Sequence, residues 1–172
     1  GMAAIAGMNV GNPERLSECL NNIALSSRFL LSLINDVLDV AKIESGKMSL
    51  ASEPFDFDEL VSSVSSFTYG SAVAKGIIFN LFASPLLEKI YVGDPLRIKQ
   101  VLMNLLSNAL KYTLPGDSIS VTLSQAGADN KNYLFVVADT GIGMSQEFLK
   151  RLYDPYARER RFGANSVAGS GL

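Results

Sequence analysis

Asn104, Asn108 and Lys111 are polar residues within an otherwise apolar helical stretch, and their types suit a metal–phosphate group. The spacing i, i+4 and i+7 puts the three side chains on one face of a helix. Amide oxygens can face Mg²⁺ or its waters, and an ammonium can face phosphate oxygens. A solvated polar stripe opposite the core has the same pattern. The cluster alone therefore leaves a magnesium–phosphate site and an ordinary helix face equally open.

Asp139, Gly141 and Gly143 form a second cluster, directly after the apolar run 134–138. A carboxylate at a strand end can accept a hydrogen bond from an exocyclic amine, which favours adenine over guanine. The glycines let the backbone approach a ligand. Asp-Thr-Gly is also the short motif of aspartic proteases, but those need two such carboxylates close together and this chain has a single copy. A simple strand and turn stays open for this motif alone.

The last five residues, Ala168–Leu172, form a third cluster. Gly169 and Gly171, separated by a serine, can wrap phosphates with backbone N–H groups. A flexible tail has the same composition, and Gly-x-Gly alone is weak evidence.

A long helix over Pro13–Glu44 is predicted ahead of these clusters, with Asn12 as its N-cap and Gly46 in its stop signal. Its apolar residues form an a/d seam, which favours a helical bundle over a helix folded on its own domain. Ala3–Val10 is interpreted as the remnant of an earlier helix, and the partner as a second copy of the chain. The seam residues are Leu16, Leu20, Ile23, Leu30, Ile34, Val37 and Ala41.

Beyond Gly46 the pattern indicates helices and strands intermixed, which is typical of an α+β sandwich. Apolar stripes at helical spacing predict the helices, and alternating or wholly apolar runs predict the strands. The predicted elements are a strand at Lys47–Glu53 ended by Pro54, a helix at Asp56–Lys75, strands at Ile77–Ala83 and Lys89–Val92, a helix at Asp94–Tyr112, a hairpin of Ser118–Gln125 and Tyr133–Ala138, a short helix at Gln146–Tyr153 and a mobile end from Asp154 to Leu172.

Composition argues against several classes of protein. The 172 residues include one cysteine, Cys19, and no histidine, so neither a zinc site nor an imidazole base is expected. A net charge of -2 gives no basic surface for nucleic acid or anionic lipid. No apolar run reaches the roughly 20 residues that cross a bilayer. We therefore expect a cytoplasmic chain without nucleic-acid or membrane contacts.

The order and spacing of the clusters resemble sensor histidine kinases, within the superfamily of gyrase, the Hsp90 chaperones and the mismatch-repair ATPases. Residues 94–113 look like the N box of that family, and residues 139–143 look like its G1 box. Residues 148–156 resemble the F box, with tyrosines in place of phenylalanines, and residues 169–172 resemble the first half of the G2 box. Residues 33–46 are similar to the end of the family's dimerisation and phosphotransfer hairpin.

The resemblance implies a two-layer α/β sandwich with a mixed sheet, preceded by the long helix of a dimerisation hairpin. Residues 1–46 would be the partial hairpin, and residues 47–172 the ATP-binding catalytic domain, truncated after the start of the G2 box. The expected ligands are ATP and Mg²⁺. By resemblance, Asn108 would hold Mg²⁺ with Asn104 beside it, and Lys111 would touch phosphate.

The remaining roles follow from the same resemblance. Tyr112 would stack near adenine, and Asp139 would accept a hydrogen bond from the adenine amino group. Gly141 and Gly143 would shape the pocket, and Gly169 and Gly171 would belong to the phosphate-binding end. A lid over about 144–171 would cover the nucleotide, with a phosphate contact from one of Arg158, Arg160 and Arg161.

The resemblance also implies a function. The parent protein would dimerise through the hairpin, move the γ-phosphoryl group of ATP to a histidine, and pass it to an aspartate of a response regulator receiver domain. ATP-hydrolysing relatives carry a glutamate where this chain has Asn104, which argues for transfer rather than hydrolysis. Two alternatives stay open: a non-enzymatic dimerisation module with a degenerate nucleotide pocket, and a superfamily ATPase.

The chain departs from the family at both ends. The acceptor histidine of the family lies roughly a dozen residues before the counterpart of Gly1, so we expect that this chain begins behind it and cannot phosphorylate itself. The second half of the G2 box, a helix and further strands are missing after Leu172. A sheet without those strands keeps an open edge, which predicts lower stability or self-association. The parent would be cytoplasmic or anchored in the cell membrane.

Overall fold

A computed structural model describes residues 1–85, 87–126, 132–154 and 157 of the chain. The chain contains two compact units, of which the first includes Gly1–Ser49 and the second includes Leu50–Leu152. Within the described part, no helix combines the length and the apolar character that crossing a membrane requires. The elements are α1 (Met2–Met8), α2 (Pro13–Glu44), β1 (Glu53–Asp56), α3 (Phe57–Lys75), β2 (Ile78–Ala83), β3 (Ile90–Gly93), α4 (Pro95–Tyr112), β4 (Ser118–Ala126), β5 (Asn132–Asp139) and α5 (Gln146–Leu149).

The first unit is built on the long helix α2, whose predicted bounds are confirmed. The side chain of Asn12 accepts a hydrogen bond from the backbone N–H of Arg15 at 3.1 Å, as an N-cap does. The helix ends before Gly46, which adopts a φ of 66°. The shorter helix α1 packs against α2. The local signals at both ends were sufficient to predict this helix because caps depend only on nearby residues.

The second unit is a two-layer sandwich, which confirms the predicted α+β class. Its main sheet has the order β2-β4-β5, with β2 parallel and β5 antiparallel to β4, so the sheet is mixed. A two-stranded antiparallel sheet joins β1 and β3. Helices α3 and α4 supply much of the core, together with alternate residues of β4. The buried core residues are Phe57, Leu60, Val64, Ala72, Ile77, Leu102, Leu106, Ala109, Leu110, Ile119, Val121 and Leu123.

Two predicted elements were wrong in their bounds. The first strand is Glu53–Asp56 and contains Pro54, which was expected to end it. Pro54 pairs with Val92 in a sheet of only two strands, and an edge strand tolerates a residue without an N–H group. Helix α5 ends at Leu149 and does not continue to Tyr153, whose side chain is 95% exposed and therefore adds no packing to a longer helix.

Helix α4 is fixed at its N-terminus by Asp94. One carboxylate oxygen accepts a hydrogen bond from the backbone N–H of Arg97 at 3.0 Å, and the other accepts one from the N–H of Ala51 at 3.1 Å. These bonds, that of Arg97 first, hold the pKa of Asp94 below its usual value. The carboxylate is therefore ionised at neutral pH and holds the first turn of α4 in place.

The C-terminus of α4 is fixed by Lys75, whose ammonium donates a hydrogen bond to the carbonyl of Leu110 at 2.8 Å. That carbonyl lies in the last turn, where the helix itself offers no donor. We expect Lys75→Met to lower the free energy of unfolding by about 1 kcal/mol, measured by urea denaturation.

Lys89→Met is the matched control, because Lys89 is 69% exposed and pairs with Asp56 across 3.6 Å at the surface. Such a pair contributes less than about 1 kcal/mol and weakens with salt. Equal losses in the two variants, both removed by salt, would contradict the cap assigned to Lys75.

Candidate functional site

The candidate site lies where the end of helix α4 meets the loop after strand β5. Tyr112 is the last residue of α4, and its carbonyl accepts a hydrogen bond from the backbone N–H of Ile142 at 3.1 Å. This bond joins two of the three clusters that the sequence singled out. The end of the amide-bearing helix and the glycine-containing loop are therefore adjacent.

Gly141 is the point of closest approach between them. A Cβ atom added to Gly141 would lie 2.3 Å from the Tyr112 carbonyl oxygen and 3.0 Å from Oδ1 of Asp139. The backbone N–H of Gly141 donates to that same carboxylate oxygen at 3.0 Å. The Asp139 carboxylate and the end of α4 thus both lie beside Gly141. Gly143, two residues on, has a φ of 61°. The backbone would be strained there if the residue carried a side chain.

The polar face of α4 leads to this junction. Asn104 and Asn108 are exposed, whereas Leu106 between them is 1% exposed and faces the core. Asn108 lies one turn before Tyr112, so its side chain is on the face that ends at the loop. Exposed amide oxygens beside an ammonium are a donor set that fits Mg²⁺ and phosphate together. In the described part, no group of three or more acidic, histidine or cysteine side chains offers an alternative metal site.

Lys111 and Tyr112 occupy the last turn of α4. The Lys111 ammonium lies 5.0 Å from the centroid of the Tyr112 ring, within the range of a cation–π contact. Tyr112 as a whole is 39% exposed and so has surface left for a planar ligand. The last turn of α4, which meets the loop after Asp139, thus carries a positive charge beside an aromatic ring.

Sequence reasoning missed the role of Thr140. Its hydroxyl oxygen accepts a hydrogen bond from the backbone N–H of Ser118 at 3.0 Å, and its own N–H donates to the Ser118 carbonyl at 3.0 Å. A threonine directly after the aspartate that ends a strand was the available signal. Its partner lies 22 residues earlier, so the pairing becomes visible only in the folded chain.

Several predicted features fall outside the described residues. These are Gly169 and Gly171, the arginines Arg158, Arg160 and Arg161, and most of the lid expected over 144–171.

Two cavities in the described part of the chain lie away from the candidate site. One is a small apolar cavity among α3, α4 and the sheet, and the other is an open groove of about 410 Å³ lined by α3 and β2. Neither has Asn108 or Asp139 in its lining.

The fold is that of histidine kinase catalytic domains. The structure of full-length ShkA in complex with AMPPNP superposes with a TM-score of 0.72 at 28% identity, and the match covers 94% of this chain and 32% of that one. The complex of histidine kinase ThkA with response regulator protein TrrA gives 0.60 at 20% identity, over 91% of this chain and 46% of that one. The second likeness shows the fold alone.

Residues 93–172 match the model of the family described as histidine kinase-, DNA gyrase B- and HSP90-like ATPase. Hybrid signal transduction histidine kinase B of Dictyostelium discoideum is 35% identical over 156 residues. The match covers 90% of this chain but only 8% of that relative's length. The resemblance read from the boxes is therefore confirmed, and the family indicates a nucleotide site in this domain.

Proposed function

We propose that this chain is the ATP-binding catalytic region of a sensor histidine kinase and binds ATP with Mg²⁺ at the junction of α4 and the 139–143 loop. The observation that carries the proposal is the contact between Gly141 and the Tyr112 carbonyl. That contact brings an amide-bearing helix and a strand-end carboxylate to one exposed place. The match to the ATPase family and the likeness to full-length ShkA in complex with AMPPNP support it.

Asp139 would select adenine. Its carboxylate already accepts one hydrogen bond, from the Gly141 N–H, and an ionised carboxylate has further lone pairs for an exocyclic amine. Guanine presents a carbonyl oxygen at the equivalent position, which a carboxylate repels. Tyr112 would stack against the purine with its exposed ring, and Lys111 would leave that ring to contact phosphate.

Asn108, with Asn104 one turn earlier, would hold Mg²⁺ through amide oxygens or through bound water. The ion, when bound, offsets the negative charge of the phosphates. Asn104 cannot take a proton from water, because an amide is not a base at neutral pH. This position therefore favours transfer of the γ-phosphoryl group to another acceptor over hydrolysis.

The parent protein would transfer that group to a histidine and then to an aspartate of a response regulator. The 172 residues contain no histidine, so this chain cannot accept the group itself. ThkA, a fold neighbour, is seen with a response regulator, which supports a receiver domain as partner. We also propose a cytoplasmic location.

Homodimerisation through residues 1–46 is part of the proposal, with the catalytic domain in residues 47–172. Four residues of the predicted seam in α2 are about half exposed in the single chain, although they are large and apolar. A second copy would remove them from water. They are Leu20, Leu30, Ile34 and Val37, with exposed fractions of 54%, 58%, 48% and 48%.

Calorimetric titration with a non-hydrolysable ATP analogue tests the nucleotide site. We expect Asp139→Asn to weaken binding about 10- to 150-fold, the value of one hydrogen bond to a charged group. Asp58→Asn is the matched control, because Asp58 is an exposed carboxylate in the first turn of α3. It should leave the affinity unchanged.

The outcomes separate the candidate functions. If neither wild type nor Asp139→Asn gives heat of binding, the dimerisation module with a degenerate pocket is favoured. Steady release of phosphate from ATP would favour a superfamily ATPase. Binding that is equally tight in Asp139→Asn and wild type would remove Asp139 from the adenine contact.

A further inference from the structure

The ladder between β4 and β5 ends in an irregular pair. Asp139 pairs with Ile119, and the next pair along the antiparallel register is Thr140 with Ser118. In a regular ladder, two residues that face each other as a hydrogen-bonded pair exchange two N–H···O=C bonds. Here the Thr140 N–H donates to the Ser118 carbonyl at 3.0 Å, but the Ser118 N–H donates to the Thr140 hydroxyl, also at 3.0 Å. The hydroxyl of Thr140 thus replaces the Thr140 carbonyl as the acceptor for the Ser118 N–H.

This replacement lets the backbone leave the sheet after Thr140 while no donor is left open. The chain then turns at once toward helix α4, where the Ile142 N–H reaches the Tyr112 carbonyl at 3.1 Å. Gly141 comes to lie close to both that carbonyl and the Asp139 carboxylate. A return bond to the Thr140 carbonyl would instead keep Thr140 in the regular geometry of the ladder and set a different direction for the chain that enters Gly141.

We propose that Thr140 is a positioning residue of the nucleotide site: its hydroxyl, bonded to the Ser118 N–H, ends the strand so that Asp139 and Gly141 are held against the end of α4. This inference rests on the proposed function in one respect, that the ligand is a nucleotide. The hydrogen bonds of Thr140 do not depend on it. Thr140 contacts neither nucleotide nor metal in this scheme and acts through Asp139 and Gly141.

The side-chain chemistry of threonine suits this role. The hydroxyl accepts from the Ser118 N–H and has its own proton free to point toward the Ser118 carbonyl, 3.5 Å away. The branched Cβ restricts χ1, so the hydroxyl is held in one orientation. Serine offers the same oxygen with a looser torsion, whereas valine keeps the shape and loses the acceptor. Valine would therefore leave the Ser118 N–H without a partner.

Amide hydrogen exchange of the chain, followed by NMR, tests the geometry without any ligand. In Thr140→Val we expect the amides of Ser118 and Ile142 to exchange about tenfold faster than in wild type, because local opening becomes easier. Thr140→Ser should restore most of the protection. Thr113→Val is the control: the Thr113 hydroxyl is buried and has no hydrogen-bond partner among the described residues, so its loss should change neither amide.

Affinity for a non-hydrolysable ATP analogue is the second readout. It should fall about tenfold in Thr140→Val and stay near the wild-type value in Thr140→Ser. If wild type does not bind the analogue, the proposed function fails, and exchange still decides the role of Thr140. Unchanged exchange in Thr140→Val, or equal effects of valine and serine, would overturn the inference. Should the valine variant not fold, Thr140→Ala removes the hydroxyl without putting a methyl group in its place and gives the same comparison.

Discussion

Replacing Gly141 with alanine is expected to abolish measurable nucleotide binding. The new Cβ atom would lie 2.3 Å from the carbonyl oxygen and 2.8 Å from the carbonyl carbon of Tyr112. Both are backbone atoms at the end of a helix, so they cannot swing aside as the tip of a flexible side chain does. Either the 139–143 loop lifts away from α4, or the last turn of α4 deforms. In both cases Asp139 loses its position relative to Tyr112 and to the polar face of α4, which carries Asn104 and Asn108.

We expect the affinity for an ATP analogue to fall by more than about 100-fold, and the free energy of unfolding to fall by at least about 2 kcal/mol. Calorimetry measures the first effect and urea denaturation the second. The Ile142 amide should lose its protection from exchange, since its bond to Tyr112 cannot form with the loop displaced.

Gly70→Ala is the matched control for this substitution. A Cβ at Gly70 meets no atom within 4 Å, and Gly70 lies inside helix α3. Alanine there should be neutral or stabilise the chain by about 0.5–1 kcal/mol. Analogue affinity within tenfold of wild type in Gly141→Ala would mean that the close approach to Tyr112 does not position the site.

The elements that could be predicted from the sequence are those with local signals. Asn12-Pro13 and Asp94-Pro95 mark the starts of α2 and α4, and in each case the capping side chain accepts a hydrogen bond from a residue three places on. Strand β1 could not be placed in this way. It is selected by pairing with β3 and by aromatic contacts such as that of Phe55 with Tyr91, whose ring centroids are 6.2 Å apart.

The candidate site, too, could be predicted from the sequence only where local signals exist. The spacing of Asn104 and Asn108 fixed their common helix face, and the resemblance to a family supplied the expectation that Asp139 meets them. No local pattern indicates that the Tyr112 carbonyl lies close to Gly141, because the two residues are 29 positions and two strands apart. The hydroxyl of Thr140 escaped notice for the same reason, since its partner Ser118 lies on the neighbouring strand. Contacts that close long loops must be read from the folded chain.

The core substitution with the largest expected effect on stability is Leu106→Ala. Leu106 is 1% exposed and lies on α4 between the two amide residues of the candidate site. With Leu102, Val121 and residues of α3 it lines a small apolar cavity of about 10 Å³. Removing the three outer carbon atoms of the leucine side chain enlarges that space, and neighbours held in a sheet and two helices can relax only in part.

We expect Leu106→Ala to lower the free energy of unfolding by about 2–5 kcal/mol. A single domain has only about 5–15 kcal/mol in total, so much of the stability of the second unit would be lost. The measurement is urea denaturation followed by circular dichroism. Leu105→Ala is the matched control, with the same chemistry one residue away on the same helix, but with the side chain 45% exposed. Its cost should stay below about 1 kcal/mol. Equal costs at the two positions would contradict the assignment of one face of α4 to the core. That result would also leave the orientation of Asn104 and Asn108 without its physical basis.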